Sequence, residues 1–188
     1  MSFYFFSEYT NKNDLFVWRC DNISQDCASS ELVFNKVDSA CSLDTEGSIS
    51  LSSQKQYALL TGGNSVVLWG VEKSEMILST EFKDPIDHDK KAVLAGAINP
   101  DGNSIMLAFE DKIKIYRILF TKFKFYHEFQ VKRVQQIVYS HGGQLVACRY
   151  GRGQNSCLIV YNLLRLTELC TFKIQAEANQ IFFNELDD

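Results

Sequence analysis

The sequence has little proline and glycine, and it has no long apolar run. It contains 2 Pro and 10 Gly in 188 residues, which excludes collagen-like and low-complexity sequence. No stretch approaches the roughly 18 apolar residues that a membrane-spanning helix needs. The first residues also lack the cationic segment and apolar core of a secretory signal. We therefore predict a soluble cytoplasmic protein without membrane association.

Residues for catalytic or metal chemistry are few and do not converge in the sequence. His88, His127 and His141 share no metal-binding spacing with one another or with cysteine, and neither H-E-x-x-H nor G-x-S-x-G occurs. We interpret His127 as part of an outer strand and His141 as a turn residue. The sequence predicts no catalytic residue, no metal site and no cofactor, and hence no enzyme.

The cysteines show no C-x-x-C pair, which argues against zinc ligation and redox motifs. Buried reduced thiols are the expected state in a cytosolic protein. The six residues are Cys20, Cys27, Cys41, Cys148, Cys157 and Cys170.

Aromatic and other apolar residues are abundant, and they recur. The chain is 46% hydrophobic, with 14 Phe and 8 Tyr, which favours half-buried strands over helices. Four apolar runs end in an aromatic residue, and turn formers stand five positions before it in three of them. The aromatic markers are Trp18, Trp69, Tyr116 and Tyr161, and the turn markers are Asn13, Asn64 and Asp111.

A second, independent marker is a turn followed by an apolar run. Asn99-Pro100-Asp101-Gly102 precedes one such run, and Ser140-His141-Gly142-Gly143 precedes another 41 residues later. The aromatic residues are 51, 47 and 45 residues apart. A period of this length without a helical pattern is typical of repeated four-stranded sheets.

Each unit is predicted to contain four strands. In the third unit these are residues 94–98, 104–109, 113–118 and 123–131, and the inner strands are nearly continuously apolar. The last strand alternates: we expect Phe123, Phe125 and Phe129 on one face, covered, and Lys122, Lys124, Tyr126 and Glu128 on the other. With its aromatics covered, this strand is not expected to stack on nucleic-acid bases.

Four-stranded units in series favour radially arranged blades, so we predict an all-β fold, a WD-type β-propeller segment of about four antiparallel blades. The units span approximately 1–37, 38–83, 92–131 and 132–174, and a further blade starts at 175–188. The first unit begins with its second strand, so open blade edges are expected. They would be covered by further propeller sequence or a partner chain, although closure into a four-bladed ring is topologically possible.

The connection between the second and third units carries Asp84, Asp87 and Asp89, a spacing that suggests calcium. It lacks the glycine and terminal glutamate of an EF-hand loop, and Lys90 and Lys91 follow directly. We predict a solvated loop. Gly151-Arg152-Gly153 likewise has no following helix and is interpreted as a hairpin tip.

These units resemble the WD-repeat family, in a divergent form. The family's Gly-His pair is absent, and its Trp-Asp dipeptide corresponds to Trp18-Arg19, Trp69-Gly70, Tyr116-Arg117 and Tyr161-Asn162. Asp111 is the position that could supply the family's hydrogen-bonded aspartate. Residues 97–113, 125–129 and 139–145 resemble the large axonemal WD-repeat proteins of cilia and flagella. That resemblance, over roughly 94–150, implies a non-enzymatic scaffold on the doublet microtubule, beneath dynein arms or radial spokes.

A basic stripe lies on an otherwise acidic chain of net charge −4. Such an acidic chain is not expected to bind nucleic acid. The stripe is either a solvated outer strand whose lysines block edge pairing or a site for an acidic protein surface such as tubulin. Its residues are Lys112, Lys114, Arg117, Lys122, Lys124, Lys132 and Arg133.

Three functions remain open from the residues alone. The first is a structural platform in a large assembly, with the axoneme as the favoured setting. The second is a WD-repeat adaptor in another cytoplasmic or nuclear complex. The third, an enzyme with its site in the central channel of a propeller, is disfavoured because Ala95, Gly96, Val134 and Gln135 supply no catalytic set there.

Overall fold

The structure, a computed structural model, describes residues 3–8, 14–20, 34–42, 47–52, 56–71, 73, 75–82, 92–151, 156–174 and 180–184. In the first three of these ranges it describes the strand backbone. Throughout these ranges every regular element is a β-strand.

In the described residues, fifteen strands form four antiparallel sheets. Within each sheet, strands that are consecutive in sequence pair with each other. The first sheet has three strands and the others have four each; we name them the first to fourth blades. The first blade is β1 (Phe3–Glu8), β2 (Asp14–Cys20) and β3 (Phe34–Ser42). The second is β4 (Gly47–Leu51), β5 (Tyr57–Gly62), β6 (Ser65–Gly70) and β7 (Glu75–Glu81). The third is β8 (Ala95–Ile98), β9 (Ser104–Ala108), β10 (Ile113–Leu119) and β11 (Lys122–Phe129). The fourth is β12 (Val134–Tyr139), β13 (Leu145–Tyr150), β14 (Cys157–Asn162) and β15 (Thr167–Lys173).

The predicted all-β fold of four-stranded antiparallel blades is confirmed. In the third blade each strand lies within two residues of its predicted bounds. One boundary differs, because β3 continues through residues 37 and 38, where the first two units were predicted to meet. This strand pairs with β2 along its length, so the first blade extends to Ser42.

Successive blades stack face to face and bury two apolar clusters between them. One cluster joins the second and third blades and includes Leu59, Leu68, Ile105 and Leu107. The other joins the third and fourth blades and is formed by side chains such as Met106, Ile113, Ile137, Val146 and Ile159. In the third blade, β9 and residues 113–116 of β10 are therefore covered on both faces, which explains their largely apolar sequence. The outer strands β7 and β15 are largely exposed.

A β-bulge recurs where the third strand of each four-stranded blade pairs with the fourth. The register shifts between Leu68 and Trp69, between Ile115 and Tyr116, and between Val160 and Tyr161. Each repeated aromatic residue thus stands next to a bulge in the outer strand. A bulge adds one unpaired residue and increases the local twist of the strand.

The bulge corrects the predicted faces of β11. Tyr116 pairs with Phe125, whereas Ile115 pairs with His127, so Tyr126 is the extra residue. An extra residue reverses the alternation beyond it. Phe129 therefore lies on the face opposite to Phe123 and Phe125, and it is buried against the fourth blade.

The burial predicted for the aromatic face of β11 is wrong at Phe125, which is 51% exposed. Tyr126, expected on the lysine face, is 45% exposed. The exposure of Tyr126 agrees with its predicted face, whereas Phe125 is not covered as predicted.

The segment 180–184 was expected to form a strand, and it forms none. Its backbone is bound instead by the amide side chain of Gln136 on β12. Gln136 Nε2 donates to Ile181 O at 3.2 Å, and Ile181 N donates to Gln136 Oε1 at 3.0 Å. The segment lies beside the innermost strand of the fourth blade without a ladder. The predicted start of a further blade at 175–188 stays a prediction.

Candidate interaction surfaces

The aromatic repeat markers are structural side chains. Trp69, Tyr116 and Tyr161 are all buried. Tyr116 lies 5.3 Å, centroid to centroid, from Phe82, which follows the outer strand of the second blade. Tyr161 stacks at 4.0 Å on Phe129, the last residue of the outer strand of the third blade. In the third and fourth blades, the repeated aromatic therefore packs its blade onto the end of the preceding one.

Burial of these tyrosines opposes ionisation, because a phenolate is poorly solvated away from water. Desolvation, with a smaller contribution from the negative charge of Glu128, raises the pKa of Tyr116 to about 12. The pKa of Tyr161 is raised as well, mainly by burial. Both side chains are neutral packing groups at physiological pH.

The turn markers lie in hairpins. Asn64 is buried in the two-residue turn between β5 and β6, and its carbonyl accepts the N–H of Phe82 at 2.9 Å. Asp111 is exposed in the turn between β9 and β10, and its Oδ2 lies 3.8 Å from Lys112 Nζ. Asn13 and the side chain of Trp18 lie outside the described residues, as do the predicted acidic loop at 83–90 and the arginine of Gly151-Arg152-Gly153.

The innermost strands of the second, third and fourth blades line a cavity of about 480 Å³. Its walls come from β4, β8, β12 and residues 180–182. They combine apolar side chains such as Ile49 and Ile137 with polar ones, which are Ser48, Ser50, Gln135, Gln136, Ser140 and His141. In the part of the chain that the structure describes, no three His, Cys, Asp or Glu side chains gather as for a metal ion. Ala95 and Gly96 lie in this wall, where the sequence offered no catalytic set.

Two buried titratable side chains, a thiol and a phenol, are uncharged at neutral pH. Cys148 is a free, buried thiol whose pKa is raised by desolvation. Burial likewise raises the pKa of Tyr139. Cys157 and Cys170 are half-buried thiols. The other predicted thiols, at 20, 27 and 41, lie where side chains are not described.

Two members of the basic stripe are neutralised locally. Lys112 Nζ lies 3.4 Å from Glu128 Oε2 on the neighbouring strand. Arg133 Nε donates to Glu110 Oε1 at 2.7 Å. Lys114 extends over two aromatic rings, with its Nζ 5.8 Å from the centroids of both Phe109 and Phe125. These residues stabilise the third blade itself.

Three other members form a cationic face at one end of the third blade. Arg117 on β10 stands directly opposite Lys124 on β11, and Lys122 follows on the same face. Like charges directly opposite each other across a ladder destabilise it. Among the residues that the structure describes, these three show no ion pair with a carboxylate. We call Arg117, Lys122 and Lys124 the cationic face.

The cationic face borders a groove of about 700 Å³ between the third and fourth blades. Arg117 forms one wall, where its guanidinium carbon lies 4.3 Å from the ring centroid of Tyr126. The hairpin joining β14 and β15 supplies Leu163, Leu164 and Leu166 to the other wall. We call this feature the interblade groove.

Exposed apolar side chains cluster on the two hairpins that flank the interblade groove. Phe120, at the tip between β10 and β11, is fully exposed, and Leu119 beside it is 41% exposed. Leu164, on the opposite hairpin, is 75% exposed. Solvated apolar side chains gathered near one groove are a common mark of an interaction site.

Sequence reasoning found the charges of this site and missed the groove. The basic residues form a run visible in the sequence, whereas the leucines belong to the next repeat unit. The signal available was a weak one: Leu163-Leu164-Arg165-Leu166 is apolar although it occupies a turn, and turns are normally polar.

No family model matches the sequence, and no curated protein matches it. Among solved structures, the chain is similar to Kuenenia stuttgartiensis hydrazine synthase, with a TM-score of 0.58 and 10% identity over 90% of this chain and 48% of that one. It is also similar to U3-55K, with a TM-score of 0.57 and 14% identity over 71% of this chain and 41% of that one.

Both solved structures contain β-propellers, so the chain has a propeller-like fold. It spans less than half the length of either. At these identities the likeness concerns the fold alone. The described residues include no helix long and apolar enough to cross a membrane.

Proposed function

We propose that this chain is a non-enzymatic structural scaffold and protein-interaction platform, in which a WD-type propeller segment presents a basic surface to an acidic protein. The observation that carries the proposal is the cationic face. Arg117 and Lys124 stand opposite each other, with Lys122 beside them and no carboxylate paired to them in the described residues.

Without a partner, this arrangement of like charges destabilises the pairing of the two strands. Two like charges opposite each other across a ladder repel, and an opposite-charge pair would stabilise the same positions. An acidic surface that docks on the third blade would turn this repulsion into attraction. Arg117 is already held in place by Tyr126, which reduces the side-chain entropy lost on binding.

The favoured setting is the axoneme of a cilium or flagellum. The support is the sequence resemblance of residues 97–113, 125–129 and 139–145 to the large axonemal WD-repeat proteins, together with the acidic character of tubulin as a partner. In that setting the chain would lie on the doublet microtubule beneath dynein arms or radial spokes. The alternative is an adaptor of the same fold in another cytoplasmic or nuclear complex.

Co-sedimentation with microtubules tests the proposal. The double variant Lys122→Glu/Lys124→Glu should bind microtubules at least about tenfold more weakly at low salt, and added salt should weaken the unmodified chain in the same direction. Lys173→Glu is the matched control, because Lys173 is also exposed at the outer edge of a blade. Binding that is unchanged by the double variant at both low and high salt would contradict the proposal.

The setting is tested separately by localisation. A tagged chain expressed in ciliated cells should concentrate along the axoneme and remain there after detergent extraction. A chain that binds other complexes and leaves the axoneme unlabelled would favour the adaptor alternative.

A further inference from the structure

The interblade groove has a composition that the proposed function does not by itself require. Part of its lining is apolar, with Ile115, Leu163 and Leu166 beside polar side chains such as Asn103 and Gln144. Arg117 lines it as well, and the other two members of the cationic face lie on the same face of the third blade. A flat acidic surface would use the charges and would leave the leucines in water.

We propose that the interblade groove binds an acidic segment of a partner protein in which glutamates or aspartates flank a leucine-sized apolar side chain. This inference rests on the proposed function and specifies the chemistry of the partner. The volume, about 700 Å³, lies within the usual range for sites that enclose a ligand side chain or a short segment.

Charge complementarity argues for this occupant. Arg117 and Lys124 face the same side of the third blade as Ile113 and Ile115, which is the side turned toward the fourth blade. The charges are therefore directed to the groove and not to the opposite face of the sheet. An acidic segment entering it meets Arg117 in the lining, with Lys124 directly opposite Arg117 on the neighbouring strand.

The apolar wall argues that the segment also carries an apolar anchor. Leu164 is 75% exposed, and Asn162 orders the turn that presents it, because its Oδ1 accepts the N–H groups of Leu164 and Arg165, each at 3.0 Å. Burying a leucine side chain stabilises a complex because its apolar surface leaves water. An ordered, exposed leucine can supply this contact without first paying to fold its loop.

The carboxylate on the groove's rim does not compete with this partner. Asp101 lies at the turn between β8 and β9, and it accepts hydrogen bonds from the backbone N–H of Asn103, at 3.1 Å, and from the Asn103 side-chain amide. These hydrogen bonds hold the carboxylate within its own turn. The three cations of the cationic face outnumber this single carboxylate at this end of the third blade.

The test uses the full 188-residue chain and synthetic peptides followed by fluorescence anisotropy. The probe is a labelled peptide with two leucines flanked on both sides by glutamates. One comparison peptide replaces glutamate by lysine, and the other replaces leucine by serine. We expect saturable binding of the first peptide, weakened by salt, and at least about tenfold weaker binding of both comparison peptides.

Variants place the binding in the groove. Arg117→Glu and Leu164→Asp should each weaken binding of the glutamate–leucine peptide by about tenfold. Lys173→Glu should leave it unchanged, because Lys173 is an exposed cation at the end of β15 that does not line the groove. If Arg117→Glu fails to fold by circular dichroism, Arg117→Gln removes the charge with less repulsion and should show a smaller loss in the same direction.

Several outcomes would overturn the inference. They are absence of peptide binding, peptide binding that Leu164→Asp and Arg117→Glu leave intact, binding of phosphatidylserine vesicles in place of the peptide, and self-association that the same variants abolish. Microtubule binding that depends on Lys122 and Lys124, with no peptide binding, would refute the groove and leave the proposed function standing. Loss of both would refute both.

Discussion

Gly96 on β8 occupies a tight contact between the second and third blades. A Cβ built on it would lie 2.6 Å from Cγ2 of Thr61, 3.3 Å from Leu107 and 3.4 Å from Leu59. Carbon atoms in favourable contact stand about 3.5–4.0 Å apart. Thr61 is only 3% exposed, so it has little room to withdraw. The innermost strand can pack here because residue 96 has no side chain.

The change Gly96→Ala should therefore lower the free energy of unfolding by about 1–3 kcal/mol, the usual cost of an added methyl in a packed core. Without a steric conflict the same change in a strand would raise it by about 0.5–1 kcal/mol, because alanine loses less backbone entropy on folding. The sign of the change thus reports the contact. Urea unfolding followed by circular dichroism measures it.

A second change tests which atom is responsible. Thr61→Ser removes Cγ2 and keeps the hydroxyl group, which lies 2.7 Å from Ser48 Oγ. Alone, Thr61→Ser should lower the free energy of unfolding by about 1 kcal/mol, because a buried methyl group is lost. In Gly96→Ala/Thr61→Ser the new methyl fills the vacated space, so the double variant should be about as stable as Thr61→Ser. Losses that simply add, or a Gly96→Ala variant as stable as the unmodified chain, would refute this account.

Two further predictions concern aromatic side chains. Phe129→Ala, which removes the ring stacked on Tyr161, should lower the free energy of unfolding by about 3–5 kcal/mol. Phe120→Ala, at a fully exposed position, should change it by less than about 0.5 kcal/mol. Equal effects of the two changes in urea unfolding would contradict the packing described. Tyr116 has a folded pKa of about 12, above its ordinary 10, so its contribution is fully present below pH 10 and is lost as the pH rises toward 12. Tyr116→Phe should make unfolding free energies less dependent on pH across that window, and an unchanged dependence would show that Tyr116 does not ionise on unfolding.

The repeated signals of the sequence sufficed to predict the strands. In the third blade, turn residues at Asn99–Gly102 and an aromatic at Tyr116 bracket two apolar runs, and these became β9 and β10. Such signals are local, since they depend on turn chemistry and on burial of whole strands. Local signals survive in a divergent repeat because each blade must form its own hairpins.

The faces of β11 could not be predicted in the same way. A bulge inserts one residue, and nothing in Phe125-Tyr126-His127 distinguishes the inserted residue from its neighbours. The bulge is set by how β10 and β11 twist beside the neighbouring blades, which is a property of the assembled stack. One misplaced residue then reverses the side assigned to Phe129.

In the candidate site, too, the local sequence feature could be predicted and the packing could not. The basic residues were visible as a run, but cross-strand register decides that Lys112 meets Glu128 whereas Arg117 meets Lys124. A sequence pattern cannot separate a paired cation from an unpaired one. The groove also needs Leu164, which comes from another blade and approaches through packing of the two sheets.

The same backbone hydrogen bond closes the first turn of three blades and gives them a common numbering. Ser52 N donates to Tyr57 O, Asn99 N to Ser104 O and Ser140 N to Leu145 O. Ser52, Asn99 and Ser140 are therefore equivalent positions. Relative to them, Ser50 stands two residues earlier in its blade, and Gln136 stands four residues earlier.

This numbering bears on the segment after β15. Ser50 Oγ accepts the N–H of Ile98, so a residue two before its turn lies beside a residue one before Asn99 in the next blade. In the same alignment, a residue four before its turn lies beside the position two residues before Ile98. Gln136 binds Ile181. By that rule Ile181 corresponds to Gly96, and Asn184 then corresponds to Asn99. This is the correspondence that the first strand of a further blade beside β12 would have, and the start of such a blade at 175–188 remains a prediction.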